Sequence, residues 1–307
     1  MEIKRELREL AEANGLDYIG IAPVERLENE PENHKATDFL PNAQSIISIG
    51  VRIGTGIQLA NLLAHSNPRL RHAIFPYLWH GFGLPSLHFV DRTAVLITRF
   101  LEKRGFLAVP AMSASTFDVR SSLTEFSNIH AAVAAGLGEL GWCDLLLTPD
   151  VGPRVRLGSI ITSAKIDPDP MYNGPSLCKT ESCELARGNK DSGSFCPSNA
   201  IGPAEEKVLI GEKEFTVARI DKWRCTWGSM GLSKSSGGLK NIPMPESVGP
   251  NEIFNALKER DPAQSMELMV IGRGDYCGRC IIECPVGRSK KLDQMLSQAT
   301  QGKDSQQ

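Results

Sequence analysis

A chain of 307 residues, 41% apolar and 23% charged, has the make-up of a globular protein, and its length favours two hydrophobic cores over one. Lys and Arg number 34 against 36 Asp and Glu, a net charge of −2, so no broad basic field drives general nucleic-acid binding, although a local basic patch for a folded RNA stays open. The longest apolar stretches, Ile129–Leu137 among them, are far too short to span a bilayer, and Met1–Leu7 alternates charged with apolar residues instead of forming a secretory signal, which together point to a cytoplasmic protein with no membrane partner.

Residues 2–14 read as an amphipathic helix with Leu7, Leu10 and Ala11 on one face. Asp17–Pro23 reads as a strand stopped by proline, and a second strand, Ser45–Val51, follows the turn Leu40-Pro41-Asn42-Ala43. A long helix is predicted over 85–104, opening at Pro85, with Val90, Ala94, Ile97 and Leu101 spaced for one buried face and Gly105 ending it. Phe106–Val109 returns as a strand. A small-residue helix is predicted over Leu123–Ala135, stopping at Gly136. Strand and helix signals thus alternate, which predicts an α/β (or α+β) domain over residues 1–166. Asp-Pro-Asp-Pro at 167–170 reads as a linker. The second domain, 167–307, is dense in cysteine, glycine and proline, with a mobile insertion near 228–270 that opens on the Gly-, Ser- and Lys-rich Gly228–Asn241, and a polar tail from Ser297.

Of eight cysteines, only Cys143 lies outside the stretch from Cys178 to Cys284. In a reducing compartment such clustering favours metal over disulfides. The strongest motif is Cys277-Gly278-Arg279-Cys280-Ile281-Ile282-Glu283-Cys284-Pro285, a C-x2-C-x3-C-P run like the end of a bacterial ferredoxin motif. Two thiolates three positions apart in a tight turn can reach adjacent iron corners of one cubane, while the cysteine before proline ligates the other cluster in two-cluster ferredoxins. Zinc also accepts C-x2-C, but the C-x3-C-P continuation favours iron–sulfur. Cys178, Cys183 and Cys196-Pro197-Ser198-Asn199-Ala200-Ile201 form an earlier group with a ferredoxin-like ending but with C-x4-C-x12-C spacing, and Cys225 stands between the groups. Crosswise ligation makes Cys196, Cys225, Cys277 and Cys280 one complete 4Fe–4S set. Cys178, Cys183 and Cys284 make a second set that is one ligand short. Asp191, a nearby serine, water, a bound substrate or Cys143 could fill the gap; a three-iron cluster, or no second cluster, are the other outcomes.

Ala134-Ala135-Gly136-Leu137-Gly138-Glu139-Leu140-Gly141, followed by Leu147-Thr148-Pro149-Asp150-Val151-Gly152-Pro153-Arg154-Val155-Arg156-Leu157-Gly158, resembles the catalytic subunits of reductive dehalogenases. The same region, with Phe39-Leu40-Pro41-Asn42-Ala43-Gln44-Ser45-Ile46-Ile47, also resembles epoxyqueuosine reductase. The resemblance covers most of residues 15–290. It implies a nitroreductase-like cobalamin-binding domain followed by a ferredoxin-like domain with two 4Fe–4S clusters. It also implies a corrinoid where the Ala134–Gly158 region meets the cluster domain, with Gly136, Gly138, Gly141, Gly152 and Gly158 as cofactor-binding positions. Arg154 and Arg156 take the place of a substrate-facing arginine, and alternation in Arg-Val-Arg sets both on one strand face. Epoxyqueuosine reductases carry a catalytic aspartate upstream of the Ala-Gly-Leu-Gly segment; counting puts Ser122 there and Asp118 four residues earlier, so Asp118 serves only through a loop shift. Tyr77 is the one tyrosine near the place of the dehalogenase proton donor.

Bland readings stand beside these. Glu139 reads as a helix-end surface residue, His130 as helix packing, Cys143 as a buried inert thiol, and His80 and His88 as locally hydrogen-bonded. Gly81-Phe82-Gly83 has too few glycines for a dinucleotide fingerprint. The leading expectation is a cobalamin-dependent iron–sulfur reductase acting on a small-molecule or modified-nucleoside substrate, fed by an external donor such as ferredoxin or flavodoxin. The rivals are an electron-transfer or reductive-activation protein without corrinoid, and a cobalamin-free reductase that binds substrate at an open cluster iron.

Overall fold

A computed structural model describes residues 2–66, 68–113, 125–180, 183, 196–263, 265 and 276–301. The chain opens with α1 (Glu2–Ala13), β1 (Tyr18–Pro23), β2 (Ser45–Arg52) and α2 (Thr55–Ser66). Next come α3 (Arg92–Glu102), β3 (Ala108–Ala111), α4 (Asn128–Ala134), β4 (Glu139–Gly141), β5 (Leu145–Leu147) and β6 (Val155–Thr162). The main sheet has the order β1-β2-β6-β3, and every pairing in it is antiparallel, with Ile47 opposite both Ile21 and Ile160. An α/β reading of the alternating signals therefore resolves as α+β. Alternation counts elements but not their direction, and a helical excursion can return the chain on either side of a strand. Both faces of the sheet are covered. One packs against Ala131–Ala134 of α4, whose small side chains admit close approach, and the other against α1 and the buried Val90, Ala94, Ile97 and Leu101.

Two boundaries differ from the pattern. Helical turns begin at Ile74, before Pro85, and widen into π-helical stretches Tyr77–Gly83 and Pro85–Asp91 ahead of α3. Pro85 has no N–H to continue the ladder, so wider turns are accommodated there. The small-residue helix starts only at Asn128, where the Ser127 hydroxyl accepts the His130 N–H at 3.1 Å, an N-cap within the periodic run. The Asp-Pro-Asp-Pro stretch is fastened down: Asp169 takes Lys4 and Arg8, each at 2.8 Å, and the backbone N–H of Ile21 at 3.0 Å.

The second half adds β7 (Ile201–Ile210), β8 (Lys213–Ile220), α5 (Lys222–Ser229), α6 (Pro250–Glu259), the single-turn α7 (Arg279–Ile282) and α8 (Lys290–Gln301). The β7–β8 hairpin was hidden in the sequence because its mixed charged and apolar residues face solvent along most of β7. A mobile insertion from 228 is not what the described residues show. Leu232 and Ser236 are fully buried, and Ile242 packs with Trp227, Ile253 and Ala256. The glycines that suggested looseness set turns, Gly231 and Gly237 at φ 63° and 87°; residues 266–275 lie outside the described stretch. Among the described residues no helix is long and apolar enough to cross a membrane.

Candidate metal centre

None of the eight cysteines forms a disulfide. They gather round two cavities. The larger, about 390 Å³, has Cys143, Cys178, Cys183, Cys280 and Cys284 in its wall, and the other, about 210 Å³, has Cys143, Cys196, Cys225, Cys277 and Cys280. Cys143, Leu145 and Cys280 line both, so the cavities adjoin. The two thiolate sets expected from the spacing thus fall one on each cavity. The thiols ring these spaces instead of converging on a point: among the described residues no three His, Cys, Asp or Glu side chains are placed to ligate a single ion.

Local backbone chemistry explains how each thiol is presented. Cys277 and Cys280 flank Gly278, whose φ of 56° caps α7, and a Cβ there would run into the Tyr77 hydroxyl. His65 Nε2 lies 3.1 Å from the Cys277 carbonyl, one turn along α2 from Asn61. In the Cys196 turn the Ala200 N–H points at the Cys196 sulfur at 3.3 Å, and the Trp142 N–H points at the Cys178 sulfur at 3.4 Å. Such N–H donors suit thiolates and tune a cluster's potential. Glu139, on β4 and not at a helix end, accepts the N–H groups of Leu177 and Cys178 at 2.5 and 2.7 Å, and so fixes the start of the Cys178 loop. Burial pushes the Cys284 thiol up to about 11 and raises Cys143 and Cys178 as well, so these three thiols are protonated at neutral pH when metal-free. A buried indole N–H at Trp142, in the wall of the larger cavity, has no partner among the described residues. Thiols, inward N–H groups and an unsatisfied donor fit a sulfide-bearing cluster.

The two arginines part company. Arg154 precedes β6, is 1% exposed, and spends its guanidinium on carbonyls: Val151 at 3.0 Å, Val286 at 2.8 Å, Ile282 at 2.9 Å and Cys284. It is a clamp on the C-terminal cysteine loop, with no donor left pointing at a substrate except a buried Nε. Burial lowers its pKa to about 10, still charged at neutrality. Arg156, on β6, donates to the Gly81 carbonyl at 2.6 Å and the Tyr77 hydroxyl at 2.9 Å, and stacks 4.6 Å from the Phe82 ring centroid. It also lines a cavity of about 220 Å³ with Ser113, Ser127, Asn128, Pro153 and Ile281. The wide helical turns thus bring the fully buried Tyr77 between Arg156 and the Gly278 turn. Asp118, Ser122 and Asp191 lie outside the described residues.

The five glycines tell a structural story. A Cβ on Gly136 would strike the Pro170 carbonyl, on Gly138 the Leu147 carbonyl, on Gly141 the Leu147 side chain, on Gly152 the Val286 carbonyl, and on Gly158 the Val90 side chain. The chain packs against itself at each of them, so each missing Cβ is accounted for by a close approach within the fold. His130 is more than packing: its Nδ1 lies 2.6 Å from Glu30 and its Nε2 3.7 Å from Asp144. Burial alone would lower its pKa, but the carboxylates of Asp144 and Glu30 outweigh it and raise the value to about 9. The Glu139, His65 and Tyr77 roles were missed or underrated because each acts on residues far away in sequence.

No family model matches the chain. Tetrachloroethene reductive dehalogenases of Dehalobacter restrictus and Desulfitobacterium hafniense are 31% identical to it over 134 residues, 42% of this chain but 21% of theirs. In three dimensions it is similar to an epoxyqueuosine reductase bound to an epoxyqueuosine-modified tRNA stem loop, with a TM-score of 0.52 at 18% identity, covering 94% of this chain and 66% of that one. A Bacillus subtilis epoxyqueuosine reductase with its catalytic loop swung out of the active site gives 0.51 at 17% identity, with coverage of 94% and 66%. The chain therefore shares its fold with epoxyqueuosine reductases and resembles, over part of its sequence, the much longer reductive dehalogenases.

Proposed function

We propose that this chain is an iron–sulfur reductase. The observation that carries the reading is the arrival of eight cysteines, from five separate stretches of sequence, around two adjoining cavities. Cys196, Cys225, Cys277 and Cys280 would hold one cluster, and Cys178, Cys183 and Cys284 would hold the other. Bound there, the clusters supply single electrons at low potential. The chain's own groups do the rest: Ala200 and Trp142 aim N–H groups at thiolates, Arg154 fixes the Cys284 loop, and Arg156, in the wall of the 220 Å³ cavity, donates to the hydroxyl oxygen of the buried Tyr77. Arg156 is the candidate for orienting a substrate in that cavity, its guanidinium held in place by the Tyr77 oxygen and the Gly81 carbonyl. Asp118 remains a proposed catalytic partner by resemblance alone.

The substrate class that fits the resemblance is a small molecule or a modified nucleoside, and the electron source an external carrier of the ferredoxin or flavodoxin type. Cobalamin belongs to the resemblance, and the five filled glycine positions give it no support, so no step is routed through it. Anaerobic purification with iron, sulfide and zinc quantitation, a UV–visible spectrum, and a cobalamin titration tests the reading. The reading expects about eight irons per chain, with broad thiolate-to-iron absorption that bleaches on dithionite reduction. Stoichiometric zinc without sulfide would refute it. Retained corrinoid with a base-off spectrum would add cobalamin to the same reading.

A further inference from the structure

We infer that Cys143 is the fourth thiolate of the second cluster, making Cys143, Cys178, Cys183 and Cys284 a complete cage; this rests on the iron–sulfur reading above. Spacing alone leaves that set one ligand short. Cys143 stands at the tip of the β4–β5 hairpin, followed by Asp144 in the left-handed region at φ 55°, a turn that carries its side chain to the wall of the larger cavity. It packs in one cluster with Cys178 and Cys183, and the thiols that act on it electrostatically are, in decreasing order, Cys284, Cys178, Cys183 and Cys196. The neighbouring residue points the same way. The Trp142 backbone N–H meets the Cys178 sulfur at 3.4 Å, and its buried indole N–H is unpartnered among the described residues.

Cys280 also lines this cavity, so the assignment has a definite competitor. Cys277 and Cys280 sit on one turn of backbone and suit adjacent corners of one cubane, which leaves Cys143 for the other. The consequence is that the α+β half, not only the cysteine-rich half, supplies a metal ligand. A second full cage also removes the open iron that a cobalamin-free mechanism would use.

The test compares anaerobic wild type with Cys143→Ala, Cys143→Ser and Cys280→Ala by iron and sulfide content, EPR of oxidised and dithionite-reduced protein, and Mössbauer spectroscopy. Wild type should carry about eight irons. Cys143→Ala should lose about one, with the near-isotropic signal of an oxidised three-iron cluster, or about four, with one reduced-cluster signal gone. Cys143→Ser, which preserves bulk and can ligate through oxygen, should keep the fold and shift the signal of one cluster only; an inert buried thiol would leave every signal unmoved. Cys280→Ala should deplete the other cluster. Eight irons and wild-type spectra in both Cys143 variants would overturn the assignment while leaving the iron–sulfur reading intact, as would Cys143→Ala and Cys280→Ala depleting the same cluster. Wild type devoid of iron would instead sink the parent reading.

Discussion

Replacing Arg154 with methionine, close in length but without charge or donors, removes four carbonyl contacts from a side chain that is 1% exposed. A hydrogen bond to a charged group contributes about 1.5–3 kcal/mol, and the lower figure gives about 6 kcal/mol for the four together. Against that, burying the guanidinium, which lowers its pKa from 12.5 to about 10, costs about 3 kcal/mol that methionine does not incur. The net loss is about 3 kcal/mol, which for a chain of this size lowers the unfolding midpoint by roughly 5 °C. Circular dichroism melting of anaerobically prepared protein measures it, and limited proteolysis should report new cleavage within 282–288. Iron should also leave the Cys284 cage before the other. A variant melting within 1 °C or so of wild type, with its iron in place, would refute the clamp. If that same variant had lost its reductase activity, a substrate-facing role for Arg154 would return.

Other perturbations probe neighbouring devices. Glu139→Ala removes the carboxylate that accepts two backbone N–H groups at the Cys178 loop, and should weaken the fold by about 2 kcal/mol and speed chelator-driven iron release. In Gly278→Ala the left-handed φ and the collision with the buried Tyr77 hydroxyl add to more than about 2 kcal/mol, so low iron occupancy and early melting are expected; normal values for both would show the turn is built otherwise. His130 gives stability a pH dependence. Its folded pKa of about 9 lies above the unfolded 6.5, so its contribution is whole below about pH 6.5 and is lost as pH rises through about 9. The amount is on the order of 3 kcal/mol, read from urea midpoints at intervals across that range, and His130→Leu should flatten the profile.

Much of the sheet was legible because its strands are buried on both faces and read as apolar runs bounded by proline and glycine. Ser45–Val51 is the example. The cysteine sets were legible for a different reason: ligand spacing in a tight turn is a local property. What stayed hidden was everything that joins distant stretches. Arg154 reads as a strand-face arginine until Ile282, Cys284 and Val286 are seen to supply its acceptors. Glu139 likewise acts across 38 and 39 residues on Leu177 and Cys178. The five glycines do not discriminate, because close self-packing and close approach to a cofactor ask for the same missing Cβ. Gly228–Asn241 misled because composition cannot separate a loose loop from one whose glycine turns insert Leu232 into a core.

The clamp has a bearing on biosynthesis. The four-stranded sheet is complete once Thr162 has been made, yet Cys284, whose carbonyl Arg154 binds, lies 130 residues beyond that arginine. At ordinary elongation speeds that gap lasts on the order of ten seconds. Throughout it the guanidinium is left to water at the place where the cysteine loop will dock. Both cysteine cavities also wait for Cys280, so iron delivery belongs to the end of synthesis. A nascent chain would offer its assembly machinery a folded sheet and an unfilled seam, and the last loop would seal both at once.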